Sequence, residues 1–141
     1  MLTREERFDA LTAADTEALV AMADELLSTH EVTVLRAPAG AAVMMRAIET
    51  AEGSTFNLGE VSVTEAEVEL AGERGYCMVL GFNPEKALAG AVLDAAAEGR
   101  LDSAGEIERL LLGALENRRL AQLAEWNRLA PTRVQFDEIP G

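Results

Sequence analysis

The stretch GYCMVLGFNPEKALAGAVLDA, Gly75 to Ala95, decides how the chain folds. An apolar run, a glycine, a short polar loop and a helical pattern follow one another in it. The run YCMVLG lacks alternation and reads as a strand buried on both faces, as a central strand of a sheet would be. After Gly81, Asn83 is placed to cap a helix by accepting from an amide near Glu85 or Lys86. Pro84 suits the first helical position, where no amide is needed. Ala87, Leu88, Ala91, Val92 and Ala95 then form one packed face, with Gly99 as the stop. Strand, loop and helix is also the order of parts that cradles a phosphate. The common nucleotide-hydrolase loop needs several glycines before Lys and Ser or Thr, and the dinucleotide loop needs G-x-G-x-x-G. Neither spacing occurs. A helix start can still hold an anion, but Asn83 competes for its amides and Glu85 repels negative charge, so the stretch reads as a structural corner in preference to a phosphate site.

Bulk properties narrow the function classes. The 141 residues fit one domain, 1–141, with 49% apolar residues and so a core that needs no staples. The lone Cys77 excludes an internal disulfide and leaves no ligand pair for zinc, which points to a reducing cytoplasm. The N-terminus mixes charges of both signs and lacks the basic start and apolar block of an export signal. No apolar run reaches the roughly 20 residues that cross a bilayer. With 25 acidic and 12 basic residues, a net charge of -13 repels nucleic acid and anionic membranes. Only Arg118, Arg119, Arg128 and Arg133 approach a basic cluster.

Upstream of the opening stretch, Thr3 and Glu6 form a capping box for a helix over about Glu5 to Ala13. Thr12 or Asp15 restarts it, and Leu19, Met22, Ala23, Leu26 and Leu27 share one face. His30 falls at that helix's end, where contact with the last carbonyls is the expected role. From Val32 the period becomes alternating. VTVLRA, a turn at Pro38 to Gly40, and AAVMMRAIE read as a hairpin. TFNLGEVSVTEAEVEL follows, with Val61 and Val63 on one parity and Ala66, Val68 and Leu70 on the other. A bulge near Thr64 and Glu65 would restore a single buried side. With the strand before Gly81, the expectation is an α+β fold whose antiparallel sheet has four or more strands, because the connections are too short for helical crossovers.

Downstream, Ser103 and Glu106 make a second capping box, opening the longest helical signal. Ile107, Leu110, Leu111, Ala114, Leu115, Leu120, Leu123 and Trp126 cover more than one narrow stripe of it, so part of this helix is expected to meet a partner. Gly113 marks a close approach or a break, and Pro131 ends the helix. The extended tail TRVQFDEIPG carries Val134, Phe136 and Ile139, which either add a strand to another chain or fold back on the sheet. Carboxylates such as Glu65, Glu67 and Glu69 line the wet side of a strand. Asp94 is placed to cap neighbouring backbone or pair with Arg36 or Arg46. No catalytic constellation emerges.

The segment GFNPEKALAGAVLDA, Gly81 to Ala95, resembles the pattern G-x-[DN]-x-x-[HK]-A-x-x-x-A-x-[IL]-D-A of the PhnG family, the G subunit of the bacterial carbon-phosphorus lyase system. VLRAP at Val34 to Pro38, LGEVSVTEAEV at Leu58 to Val68, Gly75 with Tyr76, and TRVQF at Thr132 to Phe136 match in order and spacing. Gln135, Pro131 and Asp137 depart from the usual residues. The resemblance implies a cytoplasmic, non-catalytic subunit of a transferase complex that scavenges phosphorus from phosphonates. In that family the G subunit works with the H, I and L subunits to replace the adenine of MgATP with an alkylphosphonate, and the J subunit later cleaves the carbon-phosphorus bond. MgATP is then a substrate of the complex, and no cofactor is held by this chain directly. The expected interface, chiefly with the I subunit, includes Arg36, Arg46, Arg133, Val134 and Phe136, with self-pairing of the isolated chain through the same surface. Two other classes stay open: a free-standing anion-binding module at the Pro84 helix start, and a hydrolase using carboxylates and His30.

Overall fold

In a computed structural model, the backbone is described for residues 1–48 and 55–138, and the side chains for residues 1–44 and 59–129. The elements in chain order are α1 (Arg4–Ala13), α2 (Thr16–Leu27), β1 (Val32–Ile48), β2 (Thr55–Leu70), β3 (Glu73–Leu80), α3 (Pro84–Glu98) and α4 (Ala104–Glu138). The strands form an antiparallel sheet in the order β1-β2-β3.

Local chemistry sets the helix starts as expected. Thr3 and Glu6 form the capping box of α1, Asp15 caps α2, and Asn83 caps α3 with Pro84 in its first turn and Gly99 at its end. Ser103 is the exception. Its hydroxyl oxygen is buried and makes no hydrogen bond, so the second capping box does not form.

The helix α3 is the centre of the molecule. Every residue from Ala89 to Ala96 is buried, because the sheet covers one side of it and the other helices cover the rest. Its small residues allow a close approach to β3. A Cβ built at Gly75 would overlap the carbonyl oxygen of Ala91 and lie 2.5 Å from the amide nitrogen of Ala95. One built at Gly90 would overlap the sulfur of Cys77. Leu11, Leu19, Val68, Leu70, Ile107 and Leu111 close the core around this contact. Burial, reinforced by the charge of Asp94, pushes the Cys77 thiol up to about 12, so it acts as a small apolar side chain.

The sheet differs from the sequence expectation in four ways. The Pro38–Gly40 turn is absent, and β1 runs straight through it, giving three strands among the described residues where four or more were expected. Of three register shifts between β1 and β2, the one between Met45 and Arg46 puts one extra residue in β2, between Asn57 and Gly59. Those between Val34 and Arg36 and between Arg36 and Ala39 put the extra residues in β1, which absorbs Pro38 in a bulge where a missing amide breaks no ladder bond. The bulge expected near Thr64 and Glu65 is thus on β1; β2 pairs with β3 in unbroken register from Val63–Leu80 to Leu70–Glu73. Val61 and Val63 stay on the face opposite Ala66, Val68 and Leu70. Finally, β3 is an edge strand and β2 the central one. The outer side of β3 is covered by α1 instead of a fourth strand, and Met78 and Leu80 alternate out to solvent.

The C-terminal segment also differs. The helix α4 continues through Pro131 to Glu138, so TRVQFDE is helical where an extended tail was expected. Its 35 residues extend about 50 Å. Gly113 marks no break, and a Cβ there meets nothing within 4 Å.

These two glycines make opposite predictions. Gly75→Ala should destabilise by about 3 kcal/mol, because backbone must move to admit the methyl group. Gly113→Ala should stabilise by about 1 kcal/mol, because it removes only helix-disfavouring freedom. Urea unfolding of the two variants checks both signs.

Candidate partner interface

A buried carboxylate organises the end of the molecule where α1, α3 and β3 meet. Asp94 accepts from Arg7 Nε at 2.7 Å, Arg4 Nη2 at 3.0 Å and the backbone amide of Tyr76 at 2.9 Å. Arg7 also pairs with Glu98. Asp94 therefore caps neighbouring backbone, as expected, but its cationic partners come from α1 and not from Arg36 or Arg46. With both oxygens bonded and two guanidinium groups matching its charge, this carboxylate holds elements together.

On the opposite sheet face, Arg36 Nη1 donates to Glu65 Oε1 at 2.7 Å and the Tyr76 hydroxyl donates to Glu65 Oε2 at 2.7 Å. The rings of Tyr76 and Phe8 meet edge to face, 6.1 Å between centroids and at 80° to each other. Burial, then the bond to Glu65, pushes Tyr76 up to about 12. The bond from Tyr76, with Arg36, holds Glu65 below its ordinary range.

The remaining candidates for chemistry are occupied or bare. Asn83 Oδ1 accepts from the amide of Lys86 at 3.2 Å, and Asn83 Nδ2 donates to Thr16 Oγ1 at 3.1 Å, so this side chain already fills the helix start. His30 Nδ1 lies 2.9 Å from Thr29 Oγ1 and 3.3 Å from the Leu26 carbonyl, at the end of α2 as expected. A cavity of about 180 Å³ between α1, α3 and α4 is lined by Arg4, Arg7, Glu98, Arg100 and Glu108 around Ile107 and Leu111. Its arginines Arg4 and Arg7 are committed to Asp94 and Glu98. Among the described residues, no group of three or more His, Cys, Asp or Glu is placed to hold a metal ion, and no helix is long and apolar enough to cross a membrane.

What stands out instead is uncovered apolar surface. Among the described residues the apolar packing of α4 is confined to its first turns, through Ile107 and Leu111 with Leu110, Ala114 and Leu115 partly covered, and Arg118 adds an ion pair to Asp9 of α1 at 2.6 Å. Leu112 on the outer side of those turns, and Leu120, Leu123, Trp126 and Leu129 beyond them, are each about half exposed, from 47% to 55%. The second uncovered region is a ribbon. β3 pairs with β2 only as far as Val63, so the β1–β2 pair from Ala42–Ser62 to Ile48–Thr55 extends beyond it as two strands. Val43 and Met44, adjacent and hence on opposite faces of that ribbon, are both exposed. Such patches mark interaction surfaces.

Of the five residues expected at an interface, Arg36 is in β1 with 53% of its side chain exposed. Arg46 lies on the ribbon, in register with Asn57. Arg133, Val134 and Phe136 belong to the last turns of α4. The side chains of these four lie outside the described residues. Sequence reasoning did not single out Leu112, Leu129, Val43 and Met44; the broad apolar stripe of the long helix was the signal for the first two.

The Tyr76–Glu65 bond has a pH signature. A group raised from 10.0 to about 12 on folding stabilises fully below pH 10, and that contribution is lost as the pH rises toward 12. Glu65 works in the other direction: its contribution is present above the ordinary 4.5 and is lost as the pH falls through its lowered value. Since the chain has one tyrosine, absorbance titration reads Tyr76 alone. The midpoint should lie well above 10 and fall toward it in Glu65→Gln; an unshifted wild-type midpoint contradicts the bond.

Comparison with curated proteins found no match to the chain. The family model described as phosphonate metabolism protein PhnG matches residues 2–139, nearly the whole length. The chain belongs to the PhnG family of phosphonate metabolism proteins.

Proposed function

We propose that the chain is a docking subunit of the carbon-phosphorus lyase system. It assists the I subunit in forming α-D-ribose 1-methylphosphonate 5-triphosphate from MgATP and methylphosphonate, as scaffold or modulator in preference to catalyst. Family membership supports a role in phosphonate metabolism. The H, J and L subunits act in the same system, and the setting is the cytoplasm. One domain spanning residues 1–141 suffices for this role.

The observation that carries the docking reading is the half-exposed apolar stripe of α4 between Leu112 and Leu129. Among the described residues the apolar packing of α4 on its own domain is confined to its first turns, and the Arg118–Asp9 ion pair ties one further point to α1. A surface that receives the stripe beyond would therefore stabilise the long helix. Covering the remaining exposed area of Leu112, Leu120, Leu123, Trp126 and Leu129 is worth about 5 kcal/mol in all. Association costs about 4 to 15 kcal/mol in lost freedom. The helix stripe therefore contributes but does not suffice, and the last turns with Arg133, Val134 and Phe136, together with Arg36 and Arg46 on β1, extend the surface.

Two measurements test this. Leu123→Glu should reduce retention of the I subunit in co-purification at least tenfold while leaving the thermal midpoint within a few degrees; equal retention would remove α4 from the interface. The Val134→Ala, Phe136→Ala double variant tests the last turns in the same way. Without its partner the chain should pair with itself through α4. Light scattering is then expected to show a concentration-dependent mass that Leu123→Glu returns to the monomer.

A further inference from the structure

The sheet has two edges, and they are finished differently. Along β3 the outward main-chain groups are met by side chains: the Tyr76 amide donates to Asp94 at 2.9 Å, the Arg74 carbonyl accepts from Arg4 Nη2 at 3.1 Å, and the Met78 carbonyl accepts from Thr12 Oγ1 at 3.5 Å. These residues define which positions of β3 face outward, and strand alternation carries the assignment across the sheet. The even positions of β2 bond β3, so its odd positions bond β1. On β1, Ala39, Ala41, Val43 and Met45 then bond Glu65, Val63, Val61 and Gly59. Gly40, Ala42 and Met44 between them point their amides and carbonyls away from the sheet. Among the described residues no hydrogen bond from a loop, helix or side chain reaches these groups.

We infer that this open edge of β1 receives an extended acidic segment of a companion subunit as a fourth strand. The inference rests on the docking-subunit reading and adds how one part of the surface is used. Three features support it. An uncovered edge with apolar flanks is a template for strand addition. The ribbon beyond β3 has only two strands, and a two-stranded ribbon is marginal in water until a third joins it. Charge selects the occupant. Between Val32 and Ile48 the only ionisable side chains are Arg36 and Arg46, although the chain as a whole carries -13. Arg36 holds Glu65 through Nη1, and 53% of its side chain remains exposed to a second carboxylate. A second copy of the chain fits this edge poorly. Two-fold pairing of β1 about Ala41 sets the Arg36 of each copy opposite the Arg46 of the other. A segment with carboxylates near both arginines avoids that clash.

The test is amide hydrogen exchange on the full chain, free and bound to the I subunit, joined to one substitution. Free, the amides of Gly40, Ala42 and Met44 should exchange quickly; in the complex they should slow at least tenfold. Ala42→Pro removes an outward amide without touching the ladder to β2, a position where an edge strand tolerates proline. It should weaken association at least tenfold and leave the thermal midpoint nearly unchanged, and Arg46→Glu should weaken association as well. A complex that forms with these amides still exchanging quickly overturns the edge inference and leaves the docking reading standing. No complex at any concentration overturns both. Slow exchange in the free chain with a doubled mass assigns the edge to a second copy, which also overturns the inference.

Discussion

The structure depends on the contact between α3 and β3, where Gly75 lets two backbones meet and Asp94 ties the meeting point to α1. A carboxylate inside a protein is costly unless its charge is matched and its oxygens are bonded. Here two guanidinium groups of α1 and one backbone amide of β3 do so, which joins both elements to α3 at one point. The bond to Tyr76 uses up an outward amide of β3. The strand nearest α3 is thereby sealed, and any growth of the sheet is displaced to β1.

From that asymmetry follows the division of the molecule into a packed half and two uncovered elements. The core closes around α3 with α1, α2 and the start of α4. What is left over is the apolar stripe of α4 between Leu112 and Leu129 and the two-stranded β1–β2 ribbon, which exposes Val43 on one face and Met44 on the other. A role in docking accounts for both at once, and the family assignment supplies a setting in which companions exist.

Local rules made the helix starts legible, because a cap is a bond between residues three apart: Thr3 with Glu6, Asp15 with Ala18, Asn83 with Lys86. The strands were harder. Pro38 and Gly40 have turn chemistry, but a partner strand as long as β2 holds β1 extended past them, a long-range effect that no local window contains. YCMVLG was read as central from its lack of alternation; in fact Cys77 and Val79 face α3 while Met78 and Leu80 face out. Asp94 was singled out correctly, but its partners Arg4 and Arg7 lie some ninety residues away on a helix with no periodic link to α3. The interface was legible as surplus apolar sequence on the long helix, whereas the open edge of β1 became visible only once β3 was known to be sealed.

The central claim is that this chain uses its spare apolar surface to hold a partner. Isothermal titration of the I subunit with the chain at several temperatures measures it most directly, because apolar burial on binding gives a negative heat-capacity change. The account predicts a saturable complex with a distinctly negative value that shrinks when the α4 stripe is made polar. Binding with a heat-capacity change near zero, or a value indifferent to that stripe, would contradict it.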